Sequence, residues 1–265
     1  MATYYSGAGD GYVYKQPPSD NMPDIWNDAH HAASGINSYS AETVIIRSYL
    51  EDLSGTGSLC DCLIYRGFFP IDTSGIGDGD TISAAVLKLY VAYRTDTEDD
   101  GDDWFNVVQT SQASTSALQN DDYIDCGAVN DPTEGATRVD ATGITTSAYN
   151  NWTLDATGRG WIDKTGYTKL GLREGHDAID SPLTTPTGGG IERVTITVAS
   201  SEDTSGTKDP YLDVTAETIT QGIYSRSKET SLPINDNDLS TSFSQADYTT
   251  VSTDDSQYVE QDGGL

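Results

Sequence analysis

The feature that most constrains the fold is a series of short segments between residues 151 and 215 in which apolar and polar residues alternate. The apolar positions, two residues apart, are Leu170 and Leu172, then Val194, Ile196 and Val198, and then Leu212 and Val214. Such alternation is typical of strands that turn one face to a core and the other to solvent. The linkers between them are rich in glycine and proline, which favours turns over helices. The pattern predicts an all-β chain, an antiparallel two-sheet sandwich.

The composition of the chain argues against two classes of binding partner, nucleic acids and membranes. The chain has 265 residues, with 42 acidic and 14 basic side chains and a formal net charge of −28. Such a field repels phosphates, so we expect no nucleic-acid partner. No run approaches the roughly 20 apolar residues of a membrane span, and the first residues lack the basic and apolar regions of a secretory signal. We therefore expect no membrane partner and synthesis in a cytoplasm.

The number and spacing of the cysteines are also consistent with synthesis in a cytoplasm. Cys60 and Cys62 lie two apart on a predicted strand, so a bond between them would strain it, and Cys126 completes an odd number. We expect all three to be small buried residues kept reduced.

The chain divides into three predicted parts. Residues 1–40 form an N-terminal segment that packs on the sandwich, residues 41–216 form the jelly-roll sandwich itself, and residues 217–265 form an acidic arm. The arm has few apolar anchors, so it would become ordered only against its own sandwich or a neighbouring subunit, extended or as a small hairpin. A disordered acidic tail is the alternative.

Local patterns within the first two parts predict individual elements. A short helix over residues 24–33 would end near Gly35. Its two histidines, His30 and His31, could be ligands, but exposed helix residues without a partner are the simpler interpretation. Strands are predicted at residues 42–53, 58–71, 82–94 and 104–109. The second has apolar residues on both faces, which places it mid-domain or beneath the N-terminal segment. The third would turn Leu87, Leu89, Val91 and Tyr93 to one face.

The densest acidic patch, residues 96–103, begins like a calcium loop. Asp96, Glu98 and Asp100 alternate and Gly101 follows, a spacing that lets a backbone fold around an ion. The twelfth position is Val107, where such a loop needs a bidentate glutamate. We therefore keep these three carboxylates as calcium candidates, with a solvated acidic loop as the alternative.

Several longer pieces point to a known family when read together. They are the Arg-Gly-Phe-Phe-Pro-Ile-Asp run at 66–72, the strand at 82–90, the segment from Trp152 to Trp161, the Leu-Gly-Leu-Arg run at 170–173, and the Asp-Pro-Tyr-Leu run at 209–212. In their order and spacing, residues 66–214 resemble the DNRLRE-type jelly-roll domains, which are relatives of a carbohydrate-binding-module family. The resemblance implies a two-sheet antiparallel jelly roll and, in carbohydrate-binding members, a glycan groove with a structural calcium.

Two segments resemble a particular version of this domain. The tyrosine-rich opening, residues 4–14, and the Leu-Gly-Leu-Arg-Glu-Gly-His-Asp segment, residues 170–177, look like versions encoded among structural genes of tailed viruses. This implies a virion structural protein on the particle exterior, such as a capsid decoration protein or fibre subunit, that assembles with its own copies and other virion proteins. A virion protein needs no secretory signal because it leaves the host by assembly and lysis.

Two alternatives stay open. A carbohydrate-binding module of an extracellular or cell-surface protein would bind surface glycans, with Trp26, Trp104, Trp152 or Trp161 as stacking platforms. A cell-surface or filament subunit of a microbe would need an export route.

The sequence does not favour an enzyme. His176 lies between Glu174 and Asp177, but a catalytic triad needs an activated nucleophile, and no Gly-x-Ser-x-Gly elbow occurs. Phosphate loops and dinucleotide fingerprints are missing from the sequence as well. We expect a non-enzymatic protein.

Overall fold

The computed structural model describes residues 1–98 and 100–218, which belong to one compact unit, Met1–Thr220. The strands in this part are β1 (Ala2–Tyr5), β2 (Gly11–Lys15), β3 (Ile36–Ser38), β4 (Thr43–Asp52), β5 (Cys60–Asp72), β6 (Asp80–Asp96), β7 (Trp104–Gln109), β8 (Val139–Asp140), β9 (Ala148–Thr153), β10 (Tyr167–Glu174), β11 (Ile191–Ala199) and β12 (Tyr211–Thr218). The helices are short: α1 (Asp24–His30), α2 (Ala156–Gly160) and α3 (Gly175–Ile179), with 3-10 turns at Asn120–Asp125 and Ala141–Gly143. The prediction of an all-β chain is confirmed.

The strands form one large curled antiparallel sheet. Its order is β1-β12-β6-β11-β4-β5-β10-β7-β8, with β9 paired to β6, β2 paired to β5, and β3 paired to β2. The two longest strands organise it, because each changes partner along its length. β5 pairs with β4 over residues 60–65 and with β10 over residues 67–72. β6 pairs with β12 over residues 80–88 and with β11 over residues 91–96.

The alternating positions that define the sequence pattern lie in the core, as predicted. Leu170, Leu172, Val194, Ile196, Val198, Leu212 and Val214 are all at most 1% exposed. In the β4–β11 ladder Ile46 lies opposite Ile196, so inward residues of neighbouring strands meet. Each such side chain contributes about 1.5–3 kcal/mol of burial free energy. The register is therefore fixed, because a slip of one residue would turn this whole set toward solvent.

β5 is buried on both faces over most of its length, as its sequence predicts. From Ile64 to Ile71 every residue is buried, and Phe68 and Phe69, which point to opposite faces, are both fully enclosed. One face meets the core, while β2 and α1, both from the first 40 residues, lie against this strand. The N-terminal segment thus supplies the cover for the central strand.

The predicted inward position of Tyr93 is wrong. β6 shifts register against β11, so that Val91 pairs with Val198 while Tyr93 pairs with Thr197. The extra residue, Ala92, is a β-bulge that reverses the direction of the following side chains. Tyr93 is 52% exposed as a result.

His30 also differs from its prediction as an exposed residue. It is fully buried together with Ile25, Trp26 and Ala29. Pairs four residues apart, Ile25 with Ala29 and Trp26 with His30, share one helix face, and α1 packs that face on β5. The neighbouring His31 is exposed.

Two further predictions concern the cysteines and the C-terminus. Cys60, Cys62 and Cys126 are buried and unpaired, as expected. The predicted arm, with its possible hairpin, lies outside the described residues apart from Glu217 and Thr218, which end β12.

Candidate functional site

The short helix α3 begins where β10 ends, and the charged side chains at this junction are fully buried. They are Arg173, Glu174, His176 and Asp177. The Glu174 carboxylate caps the helix by accepting the backbone N–H groups of His176 (3.1 Å) and Asp177 (3.4 Å). It also accepts the hydroxyl of buried Ser48 and lies 2.8 Å from Nδ1 of His176. Glu174 therefore fixes both the turn and the orientation of the imidazole ring.

Asp177 lies between two buried guanidinium groups, and we call Arg66, Arg173 and Asp177 the Asp177 cluster. Nε and Nη2 of Arg66 donate to the two carboxylate oxygens at 3.0 and 2.7 Å, and Nε of Arg173 donates to Oδ2 at 2.6 Å. Burial alone would raise the pKa of Asp177, but the positive charges of Arg173 and Arg66 hold it well below its usual range. The cluster is charged at neutral pH and carries one net positive charge.

The remaining guanidinium donors hold backbone carbonyls of other segments. Arg66 donates to the carbonyl of Tyr123 at 2.8 Å and to that of His30 at 3.1 Å. Arg173 donates to the carbonyl of Ala128 at 2.6 Å. The cluster thus ties α1, the loop around residues 123–128 and α3 to the central strands. Its chemistry is that of a structural anchor, in which two guanidinium groups share one carboxylate and each charged group is hydrogen-bonded.

On the solvent side of α3, His176 meets the acidic loop, and we call Glu98, Asp100 and His176 the acidic-loop cluster. One donor atom from each lies within 4.8 Å of the others, and Nε2 of His176 is 3.4 Å from Oδ2 of Asp100. Burial alone would lower the pKa of His176, but the Glu174 and Asp100 carboxylates raise it to about 9. Glu98 accepts the backbone N–H of Thr184 at 2.8 Å. At neutral pH the imidazolium therefore pairs with the loop.

The three calcium candidates are not all brought together. Glu98 and Asp100 join His176, whereas Asp96 is outside this group. Burial and then the charge of Asp103 raise the pKa of Asp96 to about 6. An imidazole nitrogen is a poor calcium ligand, because calcium prefers oxygen donors in sets of six to eight. The geometry of Glu98, Asp100 and His176 therefore fits an ion pair better than a calcium site.

A second buried aspartate lies near the start of β2. Asp10 is fully buried, and its carboxylate accepts the backbone N–H of Ser201 at 2.8 Å and the hydroxyl of Ser201 at 3.1 Å. Burial, opposed by the Ser201 N–H and reinforced by the charge of Glu202, raises the pKa of Asp10 to about 8. The raised pKa thus favours the neutral form of Asp10.

The four candidate stacking tryptophans are mostly enclosed. Trp26 and Trp152 are at most 1% exposed, and their ring nitrogens donate to Oδ1 of Asp180 at 3.0 Å and to the carbonyl of Phe105 at 3.2 Å. Trp104 is 5% exposed. A stacking platform needs an open ring face, and these three rings contact protein instead. Trp161 is partly exposed and lines a shallow pocket with Gln109 and Thr133.

The surface aromatics that the sequence reasoning missed are tyrosines. Tyr5, Tyr211, Tyr149 and Tyr90, which we call the tyrosine strip, lie on β1, β12, β9 and β6. Successive ring centroids are 5.6, 5.1 and 5.6 Å apart. Lys88 lies 5.5 Å from the ring centroid of Tyr211, and Lys208 lies 5.2 Å from that of Tyr90. The strip is a row of aromatic and hydroxyl groups with two of the chain's few cations.

The signal for the strip is present in the alternation itself. Tyr90 lies between the inward Leu89 and Val91, and Tyr211 precedes the inward Leu212, so both positions point outward. Which outward residues lie side by side depends on sheet order and register, which periodicity does not specify.

In comparisons with known proteins, no protein-family model matches the sequence, and no curated protein matches it. Over residues 1–98 and 100–218, none of the helices combines the length and the apolar character of a membrane span.

Proposed function

We propose that the chain is a non-enzymatic structural protein displayed on the exterior of a virus particle, as a capsid decoration protein or a fibre subunit. The observation that carries this proposal is the role of residues 170–177. This segment carries the resemblance to structural proteins of tailed viruses, and its charged side chains are buried and hold the fold together. Charged residues that are buried and paired within the fold stabilise a scaffold, and such a scaffold can present its surface to partners.

A jelly-roll architecture is part of this proposal. In a two-layer sandwich, a long strand passes from one layer to the other when its neighbours change. The two partner changes described above, along β5 from β4 to β10 and along β6 from β12 to β11, support such an arrangement. They also support the resemblance to DNRLRE-type domains, which remains a prediction.

The surface charge suits an exterior position. A net charge of −28 keeps a protein soluble when it is made at high copy number. Its partners in this proposal are copies of itself and other virion proteins, and its synthesis occurs in the host cytoplasm.

Quantitative mass spectrometry of purified particles tests the proposal. We expect this protein in a fixed stoichiometry to the capsid protein, and we expect the partly exposed Lys208 to be labelled on intact particles. Sedimentation of the purified protein should show a defined homo-oligomer. A protein that is absent from particles and sediments as a monomer would overturn the proposal.

A second function, glycan binding, is favoured by the tyrosine strip. Aromatic rings stack on the apolar faces of sugars, and their hydroxyls can hydrogen-bond to sugar hydroxyls. The strip is four rings long and lies on a sheet, so its geometry is rigid. The function is compatible with the first, because an exterior virion protein can bind host-surface glycans.

A glycan array tests this second function, with a matched control variant. Tyr5→Ala and Tyr90→Ala together remove two rings of the strip. Tyr93→Ala removes a ring outside the strip, on the same strand as Tyr90, whose exposure (52%) is close to that of Tyr5 (58%). We expect binding by the parent and by Tyr93→Ala, with a loss of at least tenfold in the double variant. Equal signals in all three proteins would reject the strip as the glycan site.

A further inference from the structure

The end of α1 and the end of α3 bring two imidazoles and a carboxylate together. Nδ1 of His30 lies 3.3 Å from Oδ1 of Asp180 and 3.5 Å from Nδ1 of His31. Nε2 of His31 lies 3.7 Å from Oδ2 of Asp180. One donor atom from each residue lies within 4.8 Å of the other two. These are three side chains of the kinds that bind transition metals.

The ring of His30 is already oriented as a ligand. Its Nε2 lies 2.7 Å from the backbone carbonyl oxygen of Asp177, which only accepts hydrogen bonds. Nε2 therefore carries the proton, and in the neutral ring Nδ1 presents a lone pair to His31 and Asp180. Metal-binding histidines commonly donate their second ring N–H to a carbonyl or carboxylate in this way.

Asp180 is also held in place. It is the residue after α3 and has a left-handed backbone conformation, with φ of 56°. Its Oδ1 accepts the ring N–H of Trp26 at 3.0 Å, and Oδ2 accepts an amide N–H of Asn130 at 3.3 Å. The carboxylate and the Nδ1 lone pair of His30 are both acceptors, so a cation between them relieves their repulsion.

We propose that His30, His31 and Asp180 bind one divalent transition-metal ion of the zinc class. Ligands about 2.0–2.1 Å from a tetrahedral zinc are separated by about 3.3 Å, close to the observed 3.3 and 3.5 Å. Two imidazoles and one carboxylate select zinc, cobalt or nickel over calcium and magnesium, which prefer oxygen ligands.

The site is accessible from solvent on one side. The side chain of His31 is 46% exposed and that of Asp180 is 25% exposed, whereas His30 is fully buried. Three protein ligands leave the fourth position of a tetrahedral ion for water or for a group from a neighbouring subunit. The ion would join the N-terminal helix to α3, beside the Asp177 cluster.

Cobalt(II) and zinc(II) titrations of the full chain test the proposal. Excess magnesium should be present, because exposed carboxylates bind divalent ions weakly. We expect one equivalent of cobalt to give the visible absorption bands of a tetrahedral site, and zinc to displace it. We also expect the midpoint of thermal unfolding to rise with zinc concentration, because the ion binds the folded state.

The variants separate this site from the acidic-loop cluster. His31→Gln changes an exposed residue, and Asp180→Asn keeps a residue type that tolerates the left-handed conformation and can still accept the Trp26 N–H. Each should weaken cobalt affinity at least tenfold, while His176→Gln should leave it unchanged. An absence of stoichiometric cobalt binding, or parent affinity in both site variants, would overturn the proposal. So would a loss confined to His176→Gln.

Discussion

Two fully buried aspartates, Asp177 and Asp10, experience opposite electrostatic environments. Asp177 lies between Arg66 and Arg173, which keep it ionised. Asp10 has Glu202 as its charged neighbour, and burial raises its pKa to about 8. The same buried side chain is thus favoured as an anion in one region and as a neutral acid in the other. Burial alone does not determine charge, because the neighbours decide whether ionisation is compensated.

The two regions respond to pH in opposite directions. The lowered pKa of Asp177 contributes stability that is present above its unfolded value of 3.8 and is lost as the pH falls toward the folded value. The raised pKa of Asp10 contributes stability that is present below 3.8 and is lost as the pH rises through about 8. The Asp177 cluster therefore stabilises the protein at neutral pH, whereas Asp10 contributes its stability in acid.

Removing the charge of Asp177 should have the largest effect on stability. Asp177→Asn leaves two buried guanidinium groups without their counter-charge, and we expect a loss of about 3–5 kcal/mol in the free energy of unfolding. Urea denaturation at pH 7 measures it. The control is Arg138→Gln, which breaks an exposed pair with Glu134 and should cost at most about 1 kcal/mol. Equal losses in the two variants would contradict the structural role of the cluster.

His176 adds a second pH-dependent term on the same helix. Its pKa is raised from 6.5 to about 9, so its contribution is full below pH 6.5 and disappears as the pH rises through 9. At pH 6, His176→Gln should lose about 1–3 kcal/mol, because Glu174 loses a charged donor. At pH 9.5 the variant and the parent should unfold at similar urea concentrations. A deficit of the same size at both pH values would show that packing, not charge, accounts for the loss.

Substituting Asp10 should change the free energy of unfolding by a smaller amount and in the opposite direction, toward higher stability. Asp10→Asn resembles the protonated acid, so at pH 9 we expect an unfolding free energy about 1–2 kcal/mol above that of the parent. At pH 4, where Asp10 is protonated in the fold, the two proteins should be nearly equal. Thermal unfolding at both pH values measures this. A variant that is less stable than the parent at pH 9 would show that the fold does not raise the pKa of Asp10.

The smallest stability effect is expected in the tyrosine strip. Tyr5 is 58% exposed, so Tyr5→Ala should change the free energy of unfolding by no more than about 0.5 kcal/mol. Urea denaturation checks this beside the glycan array. A large loss would assign Tyr5 to the fold and not to a binding surface.

The sequence was sufficient for the longer strands and for most of their inward faces. Leu170, Ile196 and Leu212 are in the core because their period fixes which face they occupy. Tyr93 was misassigned because a bulge depends on the neighbouring strand. His30 was misassigned because the face of a two-turn helix is defined by what it packs against.

The candidate sites were less predictable, because their residues are distant in sequence. Arg66 and Asp177 are 111 residues apart, and His30 and Asp180 are 150 apart. Only the fold brings them together. Glu98 and Asp100 were predicted as ligands from their spacing, but their neighbour His176 comes from another strand end. Conversely, the tryptophans were chosen by residue type, and burial removed most of them from the surface.

Hydrogen exchange measured by mass spectrometry tests the central claim, that the Asp177 cluster holds the fold, most directly. The backbone N–H groups of His176 and Asp177 donate to buried Glu174. We therefore predict that residues 173–178 exchange only through global unfolding, with the same opening free energy as the centre of β5. Exchange of these amides as fast as in the exposed turn at residues 204–207 would contradict the account.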